Sequence, residues 1–360
     1  MERIKFLDGF RGLAILLVIC FHAFSRWRKL VPYGDAYAGF PLFSCGLLGV
    51  DLFFIISGFV ILMTLEKSDN FITFAWKRWL RLFPAMLIVT AIILMTGKMF
   101  YERPLGDPRL LDAIPGLLFI DPSWLLGFLS MQVKALDGSF WSLFVEVKFY
   151  AVFGFLFYVL KREKAVFALV SLYLLYLVLS AEQLQSCDLR VVQILRTITV
   201  LFSFSDFGWF SVGALLYMFH KEKKFKFVIL AGVMSAIAFL QVVMSTGKGN
   251  VLNTSVVLLV IFTIFFGAFF NAQVRAIFES RWIVYIGFIS YPLYLIHQNM
   301  MISMIIQLHE LIHWIPGYLL PVLPILALIA VSDIIARFME PGIRWGIKKV
   351  VVLPEGLLGR

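Results

Sequence analysis

Long apolar runs recur from one end of this chain of 360 residues to the other, and they restrict what it can fold into. Hydrophobic residues make up 61% of the sequence, and the mean hydropathy is +0.92. Soluble domains are closer to half apolar, whereas a helix that crosses a bilayer needs about 20 predominantly apolar residues. The pattern therefore predicts an all-α protein, a polytopic transmembrane helical bundle.

About ten membrane spans fit the sequence. They are residues 8–25, 43–64, 82–97, 140–160, 165–181, 197–218, 226–245, 251–271, 282–307 and 316–337. The stretch 114–131 is also apolar, but Pro115, Gly116, Pro122 and Gly127 interrupt it. We expect a broken or re-entrant element there, because proline and glycine disfavour a continuous helix.

The distribution of basic residues predicts the topology. The chain has 32 Lys and Arg residues and a net charge of +10. Most of them fall in segments that are cytoplasmic if both termini are inside, as the positive-inside rule requires. Counting 114–131 as a full span would move the basic loops 161–164 and 221–226 outside. The charge thus indicates inner loops and not nucleic-acid binding.

The domain organisation follows from the same pattern. We expect one membrane-embedded domain over residues 1–345 and a short cytoplasmic tail over 346–360. The N-terminal segment lacks a small-residue cleavage pattern, so we expect it to be a retained first helix. The three cysteines show no metal-binding or paired spacing, and we predict no metal site.

Three ionisable residues lie on one face of the first predicted helix. Arg11 and His22 are eleven residues apart, roughly three turns plus 20°, and Asp8 shares their face. Ionisable groups inside a membrane are costly and usually functional or paired. The alternative is a snorkelling arginine and a hydrogen-bonded core histidine.

Two arginines mark the inner end of the third span. Arg78 and Arg81 are neighbours on the helix surface, three residues apart. Paired guanidinium groups suit phosphate or pyrophosphate recognition. Ordinary positive-inside anchoring explains them equally well when they are taken alone.

Two carboxylates lie within predicted spans. Glu146 follows Trp141 and Ser142 and lies about 9 Å inside the fourth span, while Asp51 lies about 12 Å inside the second. A lone intramembrane carboxylate is either protonated or paired with a cation. For Asp51 the nearby small residues explain the pattern as well as function does, since they permit close helix packing.

A polar stripe follows the ninth span. Ser290, Tyr294 and His297 have the spacing i, i+4, i+7 and therefore share a helix face, and Pro292 is a possible kink. The alternative is tyrosine packing between helices and a histidine at the interface. The two histidines, Glu146 and Asp51 lie in the outer half or middle, and the three arginines lie at the inner face. This division favours an anionic ligand that enters from the cytoplasm.

Five of these motifs, in this order, resemble the acyltransferase 3 family of integral membrane acyltransferases. The likeness spans about residues 5–300 and rests on LDGFRG…FHA, GVDLFFIISGFVI, Arg78-x-x-Arg81, WSLFVEVKFY and ISYPLYLIH. The pair Glu340-Pro341 is also similar to the family. Many relatives have an acid or amide after the glutamate, where this chain has Val147 and Lys148.

The resemblance implies a membrane acyltransferase of the bacterial inner membrane. Acyl-CoA, commonly acetyl-CoA, would be a donor co-substrate rather than a permanently bound cofactor. The acceptor would be a hydroxyl of an envelope glycan, a lipid-linked sugar or a related molecule. Larger relatives carry an extracytoplasmic esterase-like domain, so either the membrane domain completes the transfer or a separate extracytoplasmic protein does.

We expect the candidate site residues to divide into three groups. The acyl-CoA phosphates are assigned to Arg11, Arg78 and Arg81. Catalysis is assigned to His22, Glu146 and Asp51. Acceptor binding is assigned to Asp8, Trp141, Ser142, Tyr294 and His297. His22 would be a general base or a transiently acylated nucleophile, and Glu146 or Asp51 would orient it. His297 and Tyr294 would donate to the developing oxyanion or position the acceptor.

Two other classes of protein share part of this pattern. A secondary transporter or flippase also has ionisable residues at mid-membrane, but such proteins often consist of repeated halves, and this sequence shows no internal repeat. A structural or sensory membrane protein is the third alternative, and it predicts no binding of CoA.

Overall fold

The computed structural model describes residues 4–185, 187–246 and 251–350, and these contain helices and no β-strand. Two helices end in five-residue π-helical segments, His22–Arg26 after α1 and Ile335–Met339 after α16. The α-helices are α1 Lys5–Phe21, α2 Pro41–Ser44, α3 Leu48–Leu65, α4 Phe71–Met95, α5 Ala113–Leu118, α6 Pro122–Leu129, α7 Phe140–Leu160, α8 Arg162–Leu179, α9 Glu182–Gln185, α10 Arg190–Leu201, α11 Phe207–Glu222, α12 Phe225–Ser245, α13 Val251–Phe270, α14 Ala272–Phe278, α15 Arg281–Leu311, α16 Val322–Ile334 and α17 Glu340–Val350.

Seven helices of the described chain are long and apolar enough to cross a membrane. The number of candidate spans rises to nine if each of two bent helix pairs is counted as one span. The seven are Lys5–Arg26, Leu48–Leu65, Phe71–Met95, Phe140–Leu160, Phe225–Ser245, Val251–Phe270 and Val322–Val350. The prediction of an all-helical, multi-pass membrane protein is confirmed. The broken element near 114–131 is also present, as the pair Leu110–Leu118 and Pro122–Leu129 at 105°.

Three of the predicted spans, 165–181, 197–218 and 282–307, have no counterpart among these seven helices. The predicted span 197–218 falls on a second bent pair, Arg190–Leu201 and Phe204–Glu222, at 68°. Helix α8 begins with three charged residues, and α15 carries consecutive polar residues at its centre, so both are less apolar than the seven. The total of ten spans and the cytoplasmic termini stay predictions.

The chain divides into two compact units. The first comprises the described residues of 1–50, 79–144 and 252–352, and the second those of 51–78 and 145–251. In the first unit α1 packs closely on α15. A Cβ atom added at Gly287 would lie 1.8 Å from the Asp8 carbonyl oxygen, and one added at Gly12 would lie 2.2 Å from the Ile283 carbonyl oxygen. Only glycine permits the two backbones to approach this closely.

The second unit is built around α11, whose residues 207–219 are all buried. Glycines again allow close approach, because a Cβ at Gly213 would lie 1.9 Å from the Ile55 carbonyl oxygen. At one end of this unit Glu66 accepts hydrogen bonds from Arg162, Tyr217 and Lys221. Burial alone would raise the pKa of Glu66, but these donors lower it below its usual value.

The C-terminal end of the first unit contains a π-helical segment followed by a proline. Pro341 has no backbone N–H and cannot continue the regular hydrogen-bond ladder, and the Ile335–Met339 segment directly precedes this break. The predicted tail begins within α17, and its residues 351–360 lie outside the described residues. The prediction of a single domain over residues 1–345 stays a prediction.

Candidate active site

A histidine from the π-helical segment after α1 and one from α15 meet in the interior of the first unit. His297 Nε2 lies 3.1 Å from His22 Nδ1, and the two rings are edge to face at 71°. His297 is fully buried and His22 is 7% exposed. The eleven-residue spacing on α1 and the polar stripe on α15 thus supply one imidazole pair.

Backbone carbonyls fix the tautomer of each ring. His297 Nδ1 lies 2.8 Å from the Tyr294 carbonyl oxygen, which can only accept, so His297 carries its proton on Nδ1 and presents a lone pair at Nε2. The His22 Nδ1–H is shared by two acceptors, the His297 Nε2 lone pair and the Val18 carbonyl oxygen, which lies 2.9 Å from His22 Nδ1. Neutral His22 therefore has its acceptor lone pair on Nε2, where a general base needs it.

A buried carboxylate near the pair comes from a residue that the sequence analysis missed. Asp137 is fully buried in the loop before α7 and interacts electrostatically with His22. Its carboxylate accepts from the backbone N–H groups of Ser139 and Asn299, each at 2.9 Å, and from the Ser139 hydroxyl at 2.8 Å. Burial raises the pKa of Asp137, and these donors oppose the increase. The signal in the sequence is Asp137-Gly-Ser139, a turn pattern in which the aspartate bonds the backbone two residues on.

Tyr294 and Ser142 lie together beside the imidazole pair. Their hydroxyl oxygens are 2.7 Å apart, and the Tyr294 hydroxyl lies 2.9 Å from the Ser139 carbonyl oxygen. The tilted rings of Tyr294 and His297 have centroids 5.5 Å apart. The structure therefore brings Ser142, Tyr294 and His297 together, whereas Trp141 is 43% exposed.

The remaining predicted residues of α1 form an ion pair. Arg11 Nη1 lies 3.4 Å from Asp8 Oδ1, and the side chains of both residues are mostly buried. Each therefore has a charged neighbour within the same helix, and their predicted roles in acyl-CoA and acceptor binding stay predictions.

A cavity of about 420 Å³ in the first unit is rich in arginine. Within it, Arg344 pairs with Glu340 at 3.2 Å, and the Arg81 guanidinium interacts electrostatically with the same carboxylate. Its lining residues are Arg81, Phe288, Tyr291, Pro292, Ala336, Arg337, Glu340, Pro341 and Arg344. Three guanidinium groups and two aromatic rings in one cavity suit a phosphorylated aromatic ligand.

Three predicted residues belong to the second unit. Glu146 accepts hydrogen bonds from the Ser57 and Tyr150 hydroxyls. Asp51 is half-buried and interacts with Trp209 and Asp206. Arg78 lies on α4, three residues before Arg81. The predicted roles of Glu146 and Asp51 in orienting His22 stay predictions, as does that of Arg78 in phosphate binding.

The chain belongs to the acyltransferase 3 family, because the model of its acyltransferase domain matches residues 4–337. This confirms the resemblance that the motifs indicated. The chain is 28% identical over 173 residues to the peptidoglycan O-acetyltransferase OatA of Listeria monocytogenes, 44% of this chain and 25% of that protein. It is 30% identical over 159 residues to the O-acetyltransferase OatA of Staphylococcus aureus, 41% of this chain and 23% of that protein.

A third relative is the protein named membrane-bound transacylase BcsY of Komagataeibacter xylinus. It is 31% identical over 160 residues, which cover 42% of this chain and 36% of that protein. The matched part of this chain thus spans about a quarter of each OatA protein and about a third of BcsY. No solved structure matches the chain.

Proposed function

We propose that this protein is an O-acetyltransferase of the bacterial inner membrane. It transfers an acetyl group from acetyl-CoA on the cytoplasmic side to a hydroxyl of a cell-envelope glycan. The observation that carries the proposal is the buried contact between His22 and His297 in a membrane protein of an acyltransferase family. A histidine pair with fixed tautomers is suited to moving a proton during acyl transfer.

His22 is the general base in this mechanism. Its Nε2 lone pair takes the proton from the acceptor hydroxyl, and the acceptor oxygen attacks the thioester carbonyl. When the carbon–sulfur bond breaks, the imidazolium returns the proton to the CoA thiolate, so the ester and free CoA are the products. His297 Nε2 accepts from His22 Nδ1 and holds the ring in place, while the negative charge of Asp137 stabilises the imidazolium.

The arginine-lined cavity supports the choice of donor. Arg81 was assigned to the CoA phosphates from the sequence, and the structure surrounds it with Arg337 and Arg344. Acyl-CoA carries phosphates and an adenine ring, for which guanidinium groups and the rings of Phe288 and Tyr291 are suitable partners. The names of the OatA relatives support acetyl as the acyl group and a cell-wall glycan as the acceptor.

The test is transfer of labelled acetyl from acetyl-CoA to a panel of envelope glycans by the purified full-length protein. We expect His22→Ala to lower the rate by about 10²–10⁴-fold, the range for loss of a general base. His313→Ala is the matched control, because His313 is exposed in the turn that follows α15, the helix that carries His297.

Two results would contradict the proposal. One is transfer by folded His22→Ala protein at nearly the wild-type rate. The other is proton-coupled uptake of a sugar into vesicles in the absence of acetyl-CoA, which is the behaviour of a transporter. A covalent acetyl group on His22, trapped by rapid acid quench, would instead identify the acylated-histidine form of the same reaction.

A further inference from the structure

Arg103 is a buried cation without a hydrogen-bond partner in the described part of the chain. The residue is 6% exposed, and its Nε, Nη1 and Nη2 atoms are all buried and unbonded. A guanidinium has five N–H donors and loses its hydration on burial. Most buried polar groups in folded proteins have hydrogen-bond partners, so a buried guanidinium with none requires an explanation.

The segment that carries Arg103 is held firmly against α15. The Ser303 hydroxyl donates to the Tyr101 carbonyl oxygen, and the Gln307 amide donates to the Met99 carbonyl oxygen at 2.9 Å. The Tyr101 hydroxyl in turn donates to Glu310 at 2.7 Å. The backbone before Arg103 is thus fixed while its guanidinium is left unpaired, which is the arrangement expected of a ligand-binding arginine.

A second orphan group lies on α15. Asn299 donates its side-chain N–H to the Leu136 carbonyl oxygen at 3.0 Å and its backbone N–H to Asp137. Its Oδ1 atom is buried and has no partner among the described residues. The structure therefore contains an unsatisfied set of donors on Arg103 and an unsatisfied acceptor on Asn299.

Asp137 connects the two orphans with the imidazole pair. Its carboxylate contacts Asn299 directly and interacts electrostatically with both Arg103 and His22. The Asp137 oxygens accept from Asn299 and Ser139, and Asp137 and Asp107 both interact electrostatically with the Arg103 guanidinium without a hydrogen bond to it. Both orphans thus lie in the surroundings of the proposed general base.

We infer that Arg103 and Asn299 bind an acidic sugar. A carboxylate or phosphate of the sugar accepts from the Arg103 guanidinium, and a neighbouring sugar hydroxyl donates to Asn299 Oδ1. That this sugar is the acetyl acceptor rests on the proposed function, whereas its binding does not. A neutral sugar binds poorly, because it leaves the buried guanidinium unpaired.

Three monosaccharides that differ only at carbon 6 test the inference: glucose, glucuronate and glucose 6-phosphate. Their affinity is measured on the purified full-length protein at constant ionic strength. We expect glucuronate or glucose 6-phosphate to bind at least about tenfold more tightly than glucose. The tighter of the two acids distinguishes a carboxylate from a phosphate ligand.

Arg103→Gln should abolish the preference for the acid, and Arg103→Lys should retain part of it, because lysine keeps the charge without the planar fork. Arg109→Gln is the matched control on the same loop, because Arg109 is largely exposed and already paired with Asp112 at 2.7 Å. Equal affinity for the three sugars, or an acid preference that survives in Arg103→Gln, overturns the inference.

A stability measurement separates ligand binding from a structural role. Arg103→Met replaces an unpaired buried cation with an apolar chain of similar length, so the melting temperature without ligand should rise. A fall would mean that Arg103 supports the fold, and the inference would be wrong. His22→Ala should keep the preference for the acid over glucose, because it leaves Arg103 in place. Loss of transfer in His22→Ala and loss of the acid preference in Arg103→Gln are therefore independent results.

Discussion

At the scale of single residues, the imidazole pair is asymmetric. Both ring nitrogens of His297 make hydrogen bonds, Nδ1 to the Tyr294 carbonyl oxygen and Nε2 to His22 Nδ1. His22 uses only Nδ1 in these contacts, so its Nε2 is the atom placed for proton transfer. The carboxylate of Asp137 interacts with His22 but bonds other groups, and therefore stabilises a protonated ring without removing its proton.

In the proposed mechanism, this asymmetry makes His297 a positioning residue. We expect His297→Ala to lower kcat by about 10–100-fold, the range found when the hydrogen-bond partner that orients a metal-bound histidine is removed. The KM for acetyl-CoA should change little, because no donor contact is removed. Steady-state kinetics on the purified variant, beside His313→Ala, measures both. A raised KM with unchanged kcat would assign His297 to substrate binding instead.

The sequence indicated some of these residues and not others, for a physical reason. His22 and His297 were recognisable because ionisable groups are rare in apolar helices. Asp137, Arg103 and Asn299 were not singled out. The first two lie in loops, where charged residues are usually solvated, and Asn299 is one of several polar residues in α15. Burial of a loop residue depends on packing, which no local pattern records.

At the scale of helices, the contact between α1 and α15 controls the imidazole pair, because His22 directly follows α1 and His297 lies on α15. The two backbones approach through Gly12 and Gly287, where an added Cβ would meet a carbonyl oxygen of the other helix at 2.2 and 1.8 Å. Backbone atoms cannot move aside as a flexible side chain can. A methyl group at either glycine must therefore separate the helices.

We expect Gly287→Ala to destabilise the protein by about 1–3 kcal/mol, the usual cost of overpacking. It should also lower transfer, because separating α1 from α15 lengthens the contact between His22 and His297. Gly232→Ala is the matched control, since Gly232 lies within α12 and a Cβ there would meet nothing within 4 Å. Thermal unfolding in detergent and the acetyl-transfer assay report the two effects. Wild-type stability of Gly287→Ala would refute this account of the helix contact.

The two bent helix pairs show what the sequence can and cannot predict about elements. Pro115, Gly116 and Pro122 predicted the break near 114–131, and the 105° pair confirms it. The 68° bend after α10 contains neither proline nor glycine, and Ser203 adopts a left-handed conformation there, with φ +56°. Tertiary packing imposes such a conformation on serine, and no local sequence signal records it. The apolar run therefore predicted a continuous span where the structure has a bend.

At the scale of the whole molecule, the proposed reaction requires access from both sides of the membrane. The positive-inside rule predicts that the N-terminal half of α4, which carries Arg81, lies towards the cytoplasm. His22 and His297 are predicted in the outer half. Arg81, Arg337 and Arg344 line one cavity. Acetyl-CoA does not cross a bilayer, so the side on which it is consumed tests this arrangement directly.

We expect inverted inner-membrane vesicles that contain the protein to release CoA from added acetyl-CoA at least about tenfold faster than sealed right-side-out vesicles. In the inverted vesicles, Arg81→Gln should raise the KM for acetyl-CoA by about 10–150-fold, since a charge-assisted contact to phosphate contributes roughly 1.5–3 kcal/mol. Lys348→Gln, an exposed basic position on α17, should leave KM unchanged and so controls for loss of surface charge. Equal rates in the two kinds of sealed vesicle would contradict cytoplasmic entry, and an unaltered KM in Arg81→Gln would remove Arg81 from the donor site.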